Sequence, residues 1–220
     1  MRIGIISEGK GDLGVIDNIL KGITNLDTSN FVHIRPSDDF DETDLGLEDR
    51  SRSTWSLVRK ECIEGDAITD FLNLENSKYV VIHIDTDKAQ EFEVIIPTRD
   101  KNFCETLRER VVEKIKEWLD GRFTGKIFYA IAIEEIEAWL ITIFKKTTDS
   151  SVSPNPKKGL EFILNKSSMN TSSTYQNYKF LSKPFSKTKE IQVGKFLEMN
   201  CSLRLFYEEV QKIWTAENPT

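Results

Sequence analysis

The chain is sparing with cysteine and histidine: 220 residues contain three of the first and two of the second. Cys62, Cys104 and Cys201 are odd in number and lack C-x-x-C spacing, so no disulfide framework or thiolate zinc site can be read and buried thiols are expected. His33 and His83 fall inside strand-like segments, and no Ser-His-Asp or Cys-His arrangement accompanies them. A complete G-x-x-x-x-G-K-[ST] phosphate loop is absent. No apolar run approaches the roughly 18 residues of a membrane span. The N-terminus enters a strand-like segment without a signal-peptide pattern, so the expectation is a cytoplasmic protein that does not meet a membrane. With 39% apolar and 30% charged residues and only 11 glycines and 6 prolines, collagen-like and disordered classes are excluded.

What is present is an alternation of strand and helix signals. Arg2–Ile6 (RIGII) reads as a buried strand leaving through Ser7-Glu8-Gly9. A helix is expected from Asp12, which would cap it, with Leu13, Ile16, Ile19, Leu20 and Ile23 at helical spacing. Phe31–Arg35 alternates as a second strand, ended by Pro36 before an acidic stretch, residues 38–49, expected as an exposed loop. Residues 54–74 read as two short helices broken at Gly65-Asp66. Residues 78–84 (KYVVIHI) are nearly all apolar, as in a strand covered on both faces, and run into Asp85-Thr86-Asp87. A long helix follows over 98–120, a fourth strand over 126–133 and a helix over 134–144. Beyond Lys145, Asn155-Pro156 would open a short helix, 167–174 is irregular and expected to be mobile, and 202–214 closes as a helix. This alternation specifies an α/β fold, a parallel sheet with flanking helices and a helical C-terminal extension. The expected division is a domain over 1–144 and a lysine-rich helical region over 145–220 packed on it.

Charge follows that division. Residues 1–144 carry 18 Lys/Arg against 29 Asp/Glu, residues 145–195 carry 10 against 3, and the remainder 2 against 4, for a net charge of −6. An acidic body with a basic segment suits a protein whose carboxylates hold cations and whose lysines meet a polyanion through its phosphates. Ordinary solvated surface accounts for the lysines equally well.

In open parallel sheets the binding crevice lies at the carboxyl ends of the strands. The acids are there: Glu8 and Asp12 after the first strand, Asp85 and Asp87 after the third, Glu134, Glu135 and Glu137 after the fourth. Asp85 and Asp87, two apart, project to one side while Thr86 points away. Clustered carboxylates repel one another unless a cation lies among them, and Mg²⁺ takes such oxygen ligands. Taken singly, Glu8-Gly9-x-x-Asp12 is a glycine turn with a helix cap, Glu134 and Glu135 are first-turn acids favoured by the helix dipole, and Trp139 is core.

Glu8-Gly9-x-x-Asp12 and Asp85-x-Asp87 resemble the two acidic motifs of the TOPRIM superfamily. Ile136-Glu137-Ala138-Trp139-Leu140, Pro154-Asn155-Pro156-Lys157 and Phe180-Leu181-Ser182-Lys183-Pro184-Phe185 resemble a stand-alone TOPRIM-like family of bacterial proteins associated with phage defence. The resemblance implies that Glu8, Asp85, Asp87 and Glu137 bind Mg²⁺ or Mn²⁺, with Asp12 a further ligand. It also implies that Lys183 or Lys157 neutralises a phosphate in phosphodiester hydrolysis of DNA or RNA, two cations serving the attacking and leaving oxygens. The partners it implies are nucleic acid and an ATPase or other defence-system protein. A non-catalytic nucleic-acid or partner-binding module is the alternative, and hydrolysis of a small phosphate ester a third reading. The stretch from Lys88 to Pro97 departs from the larger relatives' pattern.

Overall fold

The structure, a computed structural model, describes residues 1–36, 54–145, 154–187 and 196–217. The acidic stretch 38–49 lies outside the described residues. Four strands, β1 (Arg2–Ile6), β2 (Phe31–Arg35), β3 (Ser77–Asp85) and β4 (Ile127–Ala132), form one all-parallel sheet in the order β2-β1-β3-β4. The expected α/β class and flanking helices are what is observed. After β1 the chain goes through α1 (Lys10–Thr24) to β2 on one side, and later returns to place β3 on the other. The order of strands therefore reverses at the β1/β3 junction, where helices leave the sheet in opposite directions and a crevice opens.

Strand alternation sorts the core into two layers. Along β3, Tyr79 and Val81 join one cluster with Ile3, Ile5, Phe128 and Ala130, while Val80, Ile82 and Ile84 join the other. The second layer is built with α2 (Thr54–Glu64), α3 (Asp66–Asn73) and α4 (Phe103–Leu119). The first is built with α1 and mainly with the helices after β4: α5 (Glu137–Phe144), α6 (Pro156–Lys166), α7 (Tyr175–Leu181), α8 (Phe196–Met199) and α9 (Cys201–Glu217). Continuing the period of two, His83 and Asp85 lie on the same face of β3 as Tyr79 and Val81. His83 is fully buried there, edge-on to Trp139 with ring centroids 6.2 Å apart.

Three expected boundaries move for local reasons. α1 starts at Lys10, and Asp12 lies inside its first turn instead of at the cap; its Oδ2 accepts the Gly9 N–H at 2.9 Å. The carboxylate thus satisfies one of the amides a helix start leaves open, from the position three residues into the helix. α5 starts at Glu137, three residues later than the expected start at Glu134, because Glu134 has φ +63°, a left-handed turn no helix accommodates. That turn is held by Glu134 N–H donating to Thr86 Oγ1 at 2.8 Å and by Asp87 N–H donating to Glu134 O at 3.0 Å. α4 starts at Phe103, after a turn in which Asp100 Oδ1 accepts the Asn102 N–H. The break at Gly65 is as expected, with φ +74°. No helix among the described residues is long and apolar enough to cross a membrane.

Candidate metal centre

A cleft of about 830 Å³ opens at the carboxyl ends of β1, β3 and β4. Glu8, Asp12, Asp85, Asp87 and Glu137 all line it, brought together from three adjacent strands. Glu135 joins them, as do Lys10, Lys88 and Lys157 and the wall formed by residues 172–176 with Tyr178. Lys183 is not among the lining residues: it is exposed and opens the 3-10 turn Lys183–Ser186, which packs along α1. Of the two lysines named from sequence, only Lys157 is in the cleft.

Each acid is positioned by its own backbone context. Glu8 Oε1 accepts the Asp85 N–H at 2.7 Å, tying the end of β1 to the end of β3. Glu137 is 5% exposed, and its Oε1 accepts the Tyr178 hydroxyl at 2.6 Å. Glu135 Oε2 accepts the Lys157 N–H at the start of α6 at 3.0 Å. Behind the acids, His83 Nε2 is 3.4 Å from Asp85 Oδ1 and Nδ1 is 3.8 Å from Asp12 Oδ2. These contacts miss hydrogen-bond length or alignment, for both ring nitrogens and Asp85 Oδ1 are buried without a hydrogen-bond partner.

The electrostatics follow from that crowding. Burial pushes the Asp12 carboxyl well above the ordinary range; His83, the next largest influence, opposes the rise, and the charges of Asp85, Glu8 and Glu137 add to it. Burial, Glu8, Glu137, Asp87 and Glu135 do the same to Asp85. Asp87 and Glu135 are raised more mildly, chiefly by partial burial. Protons or a cation relieve such a cluster.

The donor set fits a hard divalent cation: oxygens only, from carboxylates with two oxygens each, including one buried oxygen with no hydrogen-bond partner. As they stand, no three His, Cys, Asp or Glu side chains among the described residues form a ready cage. Closing a cage on a cation therefore calls for rotation of some of these side chains.

Sequence reasoning that stops at the acids overlooks four things. Glu135 reads as a first-turn acid because the helix is expected to begin at 134. Tyr178 belongs to α7, a helix of only seven residues whose periodicity is too short to register. His83 reads as a packed strand histidine, which it is, yet the face it shares with Asp85 puts it against the acids. Finally, Gly9-Lys10-Gly11-Asp12-Leu13-Gly14 spells G-x-G-x-x-G between a strand and a helix, the dinucleotide pattern. Here the close approach that glycine permits is made by protein: a Cβ on Gly11 would meet Ser173 O at 2.5 Å, and one on Gly14 would meet Tyr175 O at 2.7 Å and Lys179 N at 2.8 Å.

A larger cleft, about 1100 Å³, lies among α2, the turn Ala89–Phe92 and α4. Several of its charges are engaged, Lys114 with Glu93 and Glu117 and Arg122 with the carbonyls of Cys62, Ile63, Glu64 and Leu119. Its acids, Glu91, Glu93, Glu117 and Asp120, are exposed and none follows a strand end. Comparison of the chain with protein-family models, with curated proteins and with solved structures finds no match.

Proposed function

We propose that the cleft is a divalent-metal site and that the protein is a Mg²⁺- or Mn²⁺-dependent phosphodiesterase acting on nucleic acid, in keeping with the resemblance to TOPRIM-like proteins of phage defence. The observation that carries this reading is the convergence of Glu8, Asp12, Asp85, Asp87, Glu135 and Glu137 from three neighbouring strand ends, with three lysines on the same cleft. Glu8, Asp85, Asp87 and Glu137 would hold the metal, with Asp12 beside them. A divalent ion bound there supplies Lewis acidity and a bound water of lowered pKa. The chain's own part is to hold the acids in place, to meet phosphate oxygens with Lys10, Lys88 and Lys157 on the cleft, and to limit water through the wall at 172–178. The contacts available to a nucleic acid are phosphate contacts, which confer affinity without base readout.

The test is cleavage of DNA and RNA with Mg²⁺ or Mn²⁺, alongside calorimetric titration of each metal into stripped protein. Asp85→Asn and Glu8→Gln are expected to abolish both saturable metal binding and cleavage. Cleavage that survives both substitutions would sink the reading. A second reading, a non-catalytic module that binds nucleic acid or a partner protein of a defence complex, is favoured by the carboxylates' present engagement with Asp85 N, Gly9 N, Lys157 N and Tyr178. Salt-dependent binding that leaves nucleic acid intact across several divalent ions would select it.

A further inference from the structure

From the way α7 meets the acids we infer that Tyr178 is a positioning residue of the metal site, fixing one oxygen of Glu137 at the cleft. Resting on the metal reading above, this assigns part of the acidic centre to the basic C-terminal region.

Tyr178 and Glu137 are 41 residues apart and both buried, at 3% and 5% exposure. The phenol donates a 2.6 Å hydrogen bond to Glu137 Oε1. One oxygen of Glu137 is thereby given a fixed partner, and the carboxylate loses the rotation that would otherwise have to be frozen when a ligand is gripped. Partners of this kind fix ligand orientation in metal sites.

α7 itself is too short to be an independent support, and the fold clamps it. Asn18 Nδ2 on α1 donates to Lys179 O and to Ser182 Oγ, each at 2.7 Å. The buried Asp17 receives the Tyr175 hydroxyl at 2.7 Å and Lys179 Nζ at 3.1 Å on one oxygen, and stands 3.1 Å from His33 Nε2 on the other. Lys179 Nζ also contacts the Tyr175 hydroxyl. Gly14 lets the α7 backbone lie directly on α1, and Gly11 does the same for Ser173 just before it. Tyr178 sits between these anchors, so its hydroxyl is delivered to Glu137 from a rigid seat.

The test is a double-mutant cycle on Mn²⁺ affinity, measured by calorimetry on the full chain with Tyr178→Phe, Glu137→Gln and the double variant. Tyr207→Phe, another buried phenol, on α9 and off the cleft, serves as the packing control. Tyr178→Phe is expected to weaken Mn²⁺ binding about tenfold while Tyr207→Phe retains wild-type affinity, and the double variant is expected to bind no worse than Glu137→Gln alone. Wild-type affinity in Tyr178→Phe, or effects that multiply in the double variant, would overturn the role of Tyr178 while the metal reading stands. If Tyr178→Phe fails to fold, Asn18→Ala, which loosens the seat without touching the cleft, takes its place, and wild-type affinity in that folded variant overturns the inference. Absence of saturable binding in the wild type would overturn the metal reading, and the role of Tyr178 with it.

Discussion

At the residue scale, the acids at the strand ends oppose folding unless something neutralises them. Asp12 and Asp85 have folded-state pKa values raised well above the ordinary carboxylate value, so the folded chain binds protons more tightly than the unfolded one. Their stabilising contribution is full below the unfolded value, about pH 4, and is lost as pH rises through the folded values. In the presence of a chelator, the melting temperature should therefore decline from mildly acidic toward neutral pH, and saturating Mn²⁺ should remove most of that decline. Asp85→Asn should raise the chelated protein's melting temperature at neutral pH while abolishing the metal response. Thermal melts of both proteins across this range, with and without metal, check it; a wild-type profile that Mn²⁺ leaves unchanged goes against the account. The candidate ligands were legible because their residue types and their places after apolar runs are local facts. Glu135, Tyr178 and the setting of His83 were not, since each depends on where a backbone turns or which distant helix arrives.

At the element scale, the decisive contact is α1 against α7. Gly14 sits where the two backbones touch, and a methyl group there would have to displace backbone atoms at 2.7 and 2.8 Å. Gly14→Ala should destabilise the protein by about 1–3 kcal/mol through this overpacking, despite alanine's better helix propensity. Equilibrium denaturation checks the sign, and a stabilised variant would show that the helices separate freely. Asn18→Ala removes two hydrogen bonds to α7, one of them fully buried, and should cost about 1–3 kcal/mol in the same assay. The long elements were readable because β3 and α4 repeat their pattern for nine and seventeen residues. α7 was missed and α5 was placed three residues early, in one case for want of length and in the other because Glu134 adopts a left-handed conformation fixed by Thr86 and Asp87.

At the scale of the whole molecule, the described C-terminal residues cover the sheet face that α1 occupies. Leu160, Leu164, Tyr178, Leu181, Phe185, Leu203, Phe206 and Val210 share one core with Ile3, Ile5, Ile16 and Trp139. Trp139 Nε1 donates to Ser202 Oγ at 2.8 Å, and Phe206 stacks on the indole at 5.9 Å. A chain truncated after residue 145 should accordingly fail to form a cooperative fold and should bind a hydrophobic dye, since it exposes a large apolar face. Size-exclusion chromatography and a melting curve check this; a compact, cooperatively melting fragment would show that the first 145 residues carry their own core.

The sequence by itself determined the α/β class, the four strands and the set of acids on offer. These follow from composition, from periods of two and of about 3.6, and from glycine and proline punctuation, all of which act within a few residues. Only the tertiary structure decided that β1 and β3 are neighbours, which brings Glu8 beside Asp85, that Lys157 reaches the cleft while Lys183 does not, and that Tyr178 closes on Glu137. Those outcomes depend on contacts between residues 77 and 41 positions apart. They are fixed by strand order and by the seating of α7 on Gly14, neither of which leaves a periodic trace along the chain.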